Sequence, residues 1–460
     1  MLPNVPSDIF PLIFERLQDE KDLKALSFVS RGVNQWVTPE LYKRYQNFDM
    51  YQPKPFWPFA RTLLENPELG LLVRSLNLRQ WLPPQFPTTL SEEDMTLYKK
   101  MLEQAPLSKE QLALPTTVTS RIPLDLSEMP HTDLYPCEVA EIHTLLARTP
   151  NLEELKLNEL APDKLHNDEI HYPLSLIELV AKVGHSMSKL KSIRLIASDK
   201  SPIDLQGLTI LFSMPNLSTF MCVDLGDKPD LDLSLWTCLP RSSAVQTISW
   251  IGTKQPGFID LLVSSCKALT RLEYIEIPPH NKSGDSSLAP FTLTKLAAAH
   301  ATTLESLHVN TLYQVHFVTA GGLRVLDKLK HLVVRGPTIF GRSSAATGSA
   351  TVKVTSQSII QLLPASLETF KVDYCGRDHE EPLLAFAKVV DSQSLPNMRR
   401  FELTICPLRF CPSAEEEEKR MAARKLESEV QDAGFVYKWV NKGADIFDDW
   451  WSVEAWKELK

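Results

Sequence analysis

The chain has 460 residues, 43% hydrophobic and 23% charged, the balance expected of a folded soluble protein. Its net charge of −8 argues against a dedicated nucleic-acid binder, and no stretch approaches the roughly 18 uninterrupted apolar residues of a membrane span. Seven scattered cysteines, an odd number without paired spacing, read as reduced thiols of a cytosolic or nuclear protein. The opening MLPNVPSDIF has no basic region followed by an apolar run, so no secretory signal is expected there.

Three short helices are expected first. Ser7 can cap a helix from about Asp8 that carries Ile9, Phe10, Leu12, Ile13, Phe14 and Leu17, apolar almost all round. A second helix from about Lys21 carries Leu23, Leu26, Phe28 and Val29. A third, over roughly Arg31 to Tyr45, carries Val33, Trp36, Val37, Leu41 and Tyr42. Three helices of this size make a marginal domain. A first helix with two apolar faces has one left over, which either marks a partner site or is covered by the segment that follows.

The order and spacing of Val5-Pro6, Ile9, Ile13-Phe14, Leu17, Asp22-Leu23, Val29-Ser30-Arg31, Trp36 and Pro39 through Leu41-Tyr42 resemble an F-box, over about a tenth of the chain. Val5 stands where the family has Leu, a mild departure that keeps a branched apolar side chain. The resemblance implies that the segment docks a Skp-type adaptor. Carried over, Pro6, Ile9, Ile13, Leu23, Leu26, Val29 and Trp36 would form or support that contact. The F-box is assigned to residues 1–48.

Residues 49–82 read as a proline-stiffened joint and a first strand–helix repeat, with a helix around Arg61–Leu64 followed by LVRSLNL. Residues 83–137 hold eight prolines and a lone helix, SEEDMTLYKKMLEQA, with Ser91 as its cap. This is an insertion, either draped over the repeats or a loop without a role.

From 138 to 412 one phrase recurs. NLEELKL (Leu152, Leu155, Leu157) is its cleanest copy. It returns as KLKSIRL, NLSTFMC, AVQTISW, ALTRLEY, TLESLHV, KLKHLVV, SLETFKV and NMRRFEL, and LVRSLNL (Val73, Leu76, Leu78) is an earlier, weaker copy. The step L-x-L has the period of a strand, so both side chains face one way. A strand this short cannot bury that face alone, whereas stacked copies can. Helical spacing between phrases, at Leu176–Val183, Phe258–Val263, Leu293–Ala299 and Ser358–Leu363, makes the unit strand–loop–helix–loop. The expected fold is α/β, a leucine-rich-repeat solenoid with parallel strands on the concave face and helices outside, preceded by the three-helix F-box. An ordinary α/β sheet with leucine-rich strands is the alternative. Cys375 and Cys406 occupy the Asn/Cys position of the repeat signature, where a side chain satisfies turn backbone. Intervals of 24 to 38 residues make the repeats irregular, and the segments 278–290 and 341–350 read as small, polar inserted loops.

Residues alternating with the buried positions should face the concave side. There Ile196, Val223, Ile251 and Ile275 occupy one position in four neighbouring repeats, and Met221 extends the patch. This apolar stripe is the candidate substrate-binding surface; strand propensity alone, or cover from the insertion, is the competing explanation.

Residues 413–460 read as a C-terminal helical cap over the open end of the stack. They open with Ser413-x-x-Glu416 as a capping box and carry four of the nine tryptophans. An aromatic-acidic peptide for a partner is the rival reading.

Motifs for chemistry are missing. There is no phosphate-binding G-x-x-x-x-G-K-[ST] and no G-x-S-x-G elbow. His166 and His171 are spaced wrongly for zinc on one helix face, and Cys406 and Cys411 lack a second pair. No cofactor, metal or catalytic residue is therefore expected, and no nucleic-acid or membrane partner. An F-box followed by leucine-rich repeats looks like a fungal-type F-box/leucine-rich-repeat protein. That family implies a non-enzymatic substrate-recognition adaptor of a cullin–RING ubiquitin ligase, linked through the Skp-type adaptor to a cullin, with the repeats holding a protein substrate. A scaffold that binds the adaptor without ubiquitin transfer is the alternative.

Overall fold

The computed structural model describes residues 9–17, 20–47, 56–79, 92–104, 141–158, 187–197, 205–224, 232–252, 258–276, 299–310, 322–335, 355–375, 383, 386, 395–405 and 436–439. The chain forms two compact units, Met1–Val245 and Gln246–Lys460.

The first unit opens with helices α1 (Ile9–Arg16), α2 (Glu20–Ser27) and α3 (Arg31–Lys43). Ser30 caps α3 by accepting a hydrogen bond from the Val33 N–H, so the α2–α3 turn is locked at its end. Apolar residues at helical spacing meet in one small core. Phe14, Leu23 and Val37 are buried, and Leu17, Leu26, Val33 and Leu41 pack against them. The chain leaves α3 directly into strand β1 (Arg44–Gln46). The helix Trp57–Glu65 follows, burying Trp57, Ala60 and Leu63, and Tyr45 stacks on its Phe59 at 3.9 Å between ring centroids.

Four further strands complete this unit's sheet: β2 (Ser75–Arg79), β3 (Glu154–Asn158), β4 (Ser192–Ala197) and β5 (Thr219–Asp224). Each pairs in parallel with the next in sequence order. Helices at 141–148 and Leu205–Phe212 lie between strands in the chain, and Phe212 packs edge-on against Phe220 of β5. The second unit repeats the scheme with β6 (Thr247–Gly252), β7 (Arg271–Glu276), β8 (Ser306–Asn310), β9 (His331–Arg335), β10 (Thr369–Cys375), β11 (Arg400–Ile405) and β12 (Val436–Trp439). These strands too are parallel and paired in chain order. Helices Phe258–Ser265 and Ser356–Leu362 connect them, and Phe258 meets Trp250 of β6 edge-on.

The recurring phrase is the core of both units. Of its positions whose burial is described, all but Met398 are buried. Backbone bonding repeats with it. Ahead of strands β3–β5 and β7–β11, one carbonyl of the preceding repeat accepts two successive N–H groups. Arg74 O takes Glu153 and Glu154, Glu153 O takes Lys191 and Ser192, and Glu305 O takes Lys330 and His331. Side chains add to this. Asn151, Asn216 and Asn397, each opening its phrase, donate to the carbonyls of Leu71, Ser188 and Ala365, which hold equivalent places one repeat earlier. Thr303 and Ser366 at the same place donate to Leu269 O and Leu329 O. Backbone that a short strand leaves open is thus satisfied by the neighbouring repeat.

All ten copies of the phrase form parallel strands, as expected of stacked strand–helix units. Two strands differ from expectation. Arg44 and Tyr45, read as the end of the third helix, belong to β1, because Arg74 N donates to Lys43 O and β2 offers an open edge. Val436–Trp439, read as part of a helical cap, is strand β12, where the alternating Val-Tyr-Lys-Trp finds the edge of β11. The helices Leu205–Phe212 and 141–148 were not anticipated. The predicted helix at Leu176–Val183, the capping residue Ser7 and most of residues 83–137 and 413–460 lie outside the described residues. Of the insertion, the helix Glu92–Gln104 is described. It packs against Trp57–Glu65 and buries Met101, so this part lies against the repeats.

Candidate functional site

The helical trio holds a surplus of apolar surface. On α1, Phe14 faces the small core and Leu17, just past its end, packs there too, while Ile9, Leu12 and Ile13, at i, i+3 and i+4, stay exposed, Leu12 at 62%. The α2–α3 turn exposes Phe28 at 79% and Val29 at 65%, and α3 exposes Trp36. Of the seven residues expected at an adaptor contact, Ile9, Ile13, Val29 and Trp36 are therefore exposed. Leu23 and Leu26 lie inside and hold the three helices together. Pro6 lies outside the described residues. Among the described side chains, Leu12 and Phe28 are the most exposed apolar ones of α1 and of the α2–α3 turn, and neither was among those seven. Phe28 could have been found from its place past the end of α2, where no helix face can bury it.

The apolar stripe requires correction. The register aligns Ile196 with Val223 in the first unit and Ile251 with Ile275 in the second, as the phrase spacing requires. Yet Ile196 and Ile275 are 7% exposed and Val223 3%, and Met221 and Ile251 are half-buried. These side chains are not an open docking surface. Parallel strands commonly carry apolar residues on both faces because both are covered.

The polar residues of the same face are more informative. In the second unit Ser249, Glu273 and His308 stand in register on three adjacent strands. The Ser249 hydroxyl donates to Glu273 Oε2 at 2.8 Å, and His308 Nδ1 lies 3.0 Å from Oε1. Burial works to raise the Glu273 carboxyl. The His308 hydrogen bond and charge, the Ser249 hydroxyl and Arg271 together outweigh it and hold the group below the usual carboxylate range. The carboxylate sits between the serine and the imidazole. Nucleophilic catalysis needs the imidazole in the middle, so this trio is built to fix a buried charge rather than to activate Ser249. Beside it, Arg335 donates to Asn310 Oδ1 at 3.5 Å.

In the first unit the equivalent row is Asn77, Lys156, Arg194 and Met221, again in register. Lys156 pairs with Glu154 at 3.1 Å, and the Ser75 hydroxyl donates to the same carboxylate. Burial pushes the Arg194 guanidinium below its usual range, and Glu154 opposes that. Among the described residues no group of His, Cys, Asp and Glu is placed to hold a metal ion, and no helix is long and apolar enough to cross a membrane. His166, His171, Cys406 and Cys411 lie outside the described residues.

No protein-family model matches the chain, and no curated protein matches it.

Proposed function

We propose that the chain is a substrate-recognition adaptor of a cullin–RING ubiquitin ligase, with α1–α3 as the F-box that docks a Skp-type adaptor and the leucine-rich repeats as the part that holds a protein substrate. Such a protein acts by bringing two partners together, not by bond chemistry of its own. The reading rests first on the F-box-like order of residues 5–42. The observation that carries it further is the surplus apolar surface of a helical unit whose core is already closed: Ile9, Leu12, Ile13, Phe28, Val29 and Trp36 are exposed beside buried Phe14, Leu23 and Val37. Exposed apolar side chains concentrated on one small element mark a protein contact. Parallel strand–helix units in chain order, with the phrase buried in each, support the leucine-rich-repeat half.

Affinity capture of the intact protein should recover a Skp-type adaptor and a cullin. The double variant Leu12→Asp/Phe28→Asp should lose both while its thermal melting stays that of the parent, since neither side chain is buried. Unchanged recovery from that variant would sink the reading. Recovery of the adaptor without a cullin would favour a scaffold that transfers no ubiquitin.

A further inference from the structure

We propose that Ser30 is a phosphorylation site whose modification closes the docking surface of α1–α3. The proposal rests on the reading of that surface as the F-box contact and adds a means of regulating it.

Three observations carry it. Ser30 is itself exposed and directly follows Phe28 and Val29, exposed at 79% and 65% in the α2–α3 turn. A change at Ser30 is therefore a change in the middle of the apolar surface. The hydroxyl is open to chemistry. Its oxygen accepts from the Val33 N–H at 3.2 Å, and among the described residues its own O–H has no protein acceptor. The space over the first turn of α3 is also empty. Gly32 has no side chain there, and only Ser30 Oγ, 4.0 Å away, comes near the place where a Cβ would stand. A phosphoryl group on Ser30 meets no obstacle in the folded chain.

That group would carry about −1.5 to −2 charges near neutral pH, with opposite effects on folding and on docking. Within the chain it sits at the N-terminus of a 13-residue helix, where the dipole and the N–H groups of the first turn favour an anion. The fold is kept. At the contact it stands among apolar side chains that docking takes out of water. Arg31, exposed and adjacent, offsets at most one of its charges. A charge removed from water without full compensation is strongly disfavoured, so docking is lost. By linkage, a docked adaptor in turn disfavours the modification.

The chemical step is phosphoryl transfer from a nucleoside triphosphate held by a protein kinase. Ser30 Oγ bonds to the γ-phosphorus as the bond from that phosphorus to the β,γ-bridging oxygen breaks. The nucleoside diphosphate leaves, and the hydroxyl proton passes to the kinase's base.

The test separates charge from capping. Asn and Asp cap helices about equally well and differ in charge. In the full chain, Ser30→Asn should capture the Skp-type adaptor as the parent does, whereas Ser30→Asp should weaken capture by about tenfold or more. Both variants should melt no lower than the parent, which distinguishes lost docking from lost folding. Fragmentation mass spectrometry is then run on the protein isolated from its own cells with phosphatases inhibited. It should find phosphate on Ser30 in the free fraction and not in the adaptor-bound fraction. A loss in Ser30→Asn as large as in Ser30→Asp, or no phosphate on Ser30 in either fraction, would overturn the proposal. Equal capture by the parent and Ser30→Asp condemns the switch alone. A parent that captures no adaptor condemns the F-box reading and the switch with it.

Discussion

Glu273 shows how one side chain ties folding to pH. Its carboxyl is held below the ordinary range in the folded chain by His308 and Ser249 against the opposing effect of burial. A depressed folded pKa means that the folded state gains most when the group is ionised. The contribution is complete above the unfolded carboxyl pKa and disappears as pH falls through the folded one. Melting temperature should therefore drop on acidification below about pH 4.5, and Glu273→Gln should flatten that dependence while lowering stability at neutral pH. A variant that melts along the parent's acid limb would refute the assignment. Asn216 makes a second residue-scale test. Its amide closes a carbonyl of the preceding repeat, so Asn216→Ala should cost about 1 kcal/mol in urea unfolding. The exposed Glu153, although bonded to Lys191 and close to Arg74, should matter less, since exposed ion pairs contribute about 0–1 kcal/mol.

The phrase is the unit at the scale of elements. Leu155 is fully buried within β3, and Leu155→Ala should destabilise by about 2–5 kcal/mol, measurable by chemical denaturation. The strands were legible because that burial needs Leu, Ile, Val or Phe at fixed intervals of three and two, a pattern that survives any loop placed between copies. The span of α1 was legible for a similar reason, since apolar residues recur around almost the whole of Ile9 to Leu17, whereas Ser30, the cap of α3, was not singled out. Elements whose cause lies outside their own residues were harder to read. Arg44 and Tyr45 have no strand pattern of their own and join the sheet because β2 offers an edge. Val436–Trp439 is a strand for the same reason at β11. The stripe failed on burial. Register could be counted from the phrase, whereas the burial of Ile196, Val223 and Ile275 leaves no mark in it.

At the scale of the molecule, β1 links the helical trio to the repeats. It is three residues long and occupies the edge of β2. A chain beginning at residue 48 would lose both the exposed apolar surface of α1–α3 and that strand, leaving β2 with open N–H and C=O groups, the usual start of edge-to-edge association. Such a truncation should sediment faster than the intact protein at equal concentration. A chain beginning at residue 44 should lose adaptor capture without associating. Equal sedimentation of the two would show that β1 guards nothing.

The paired N–H groups that meet one carbonyl of the preceding repeat span only two residues, and nothing in that junction depends on how much chain separates one copy from the next. Insertions can therefore accumulate between copies at little thermodynamic cost, whereas adding or removing a single residue inside a copy would misalign every contact it makes on both sides. A lineage carrying this architecture is free to experiment with its connecting segments and has almost no freedom in the seven-residue core of each turn.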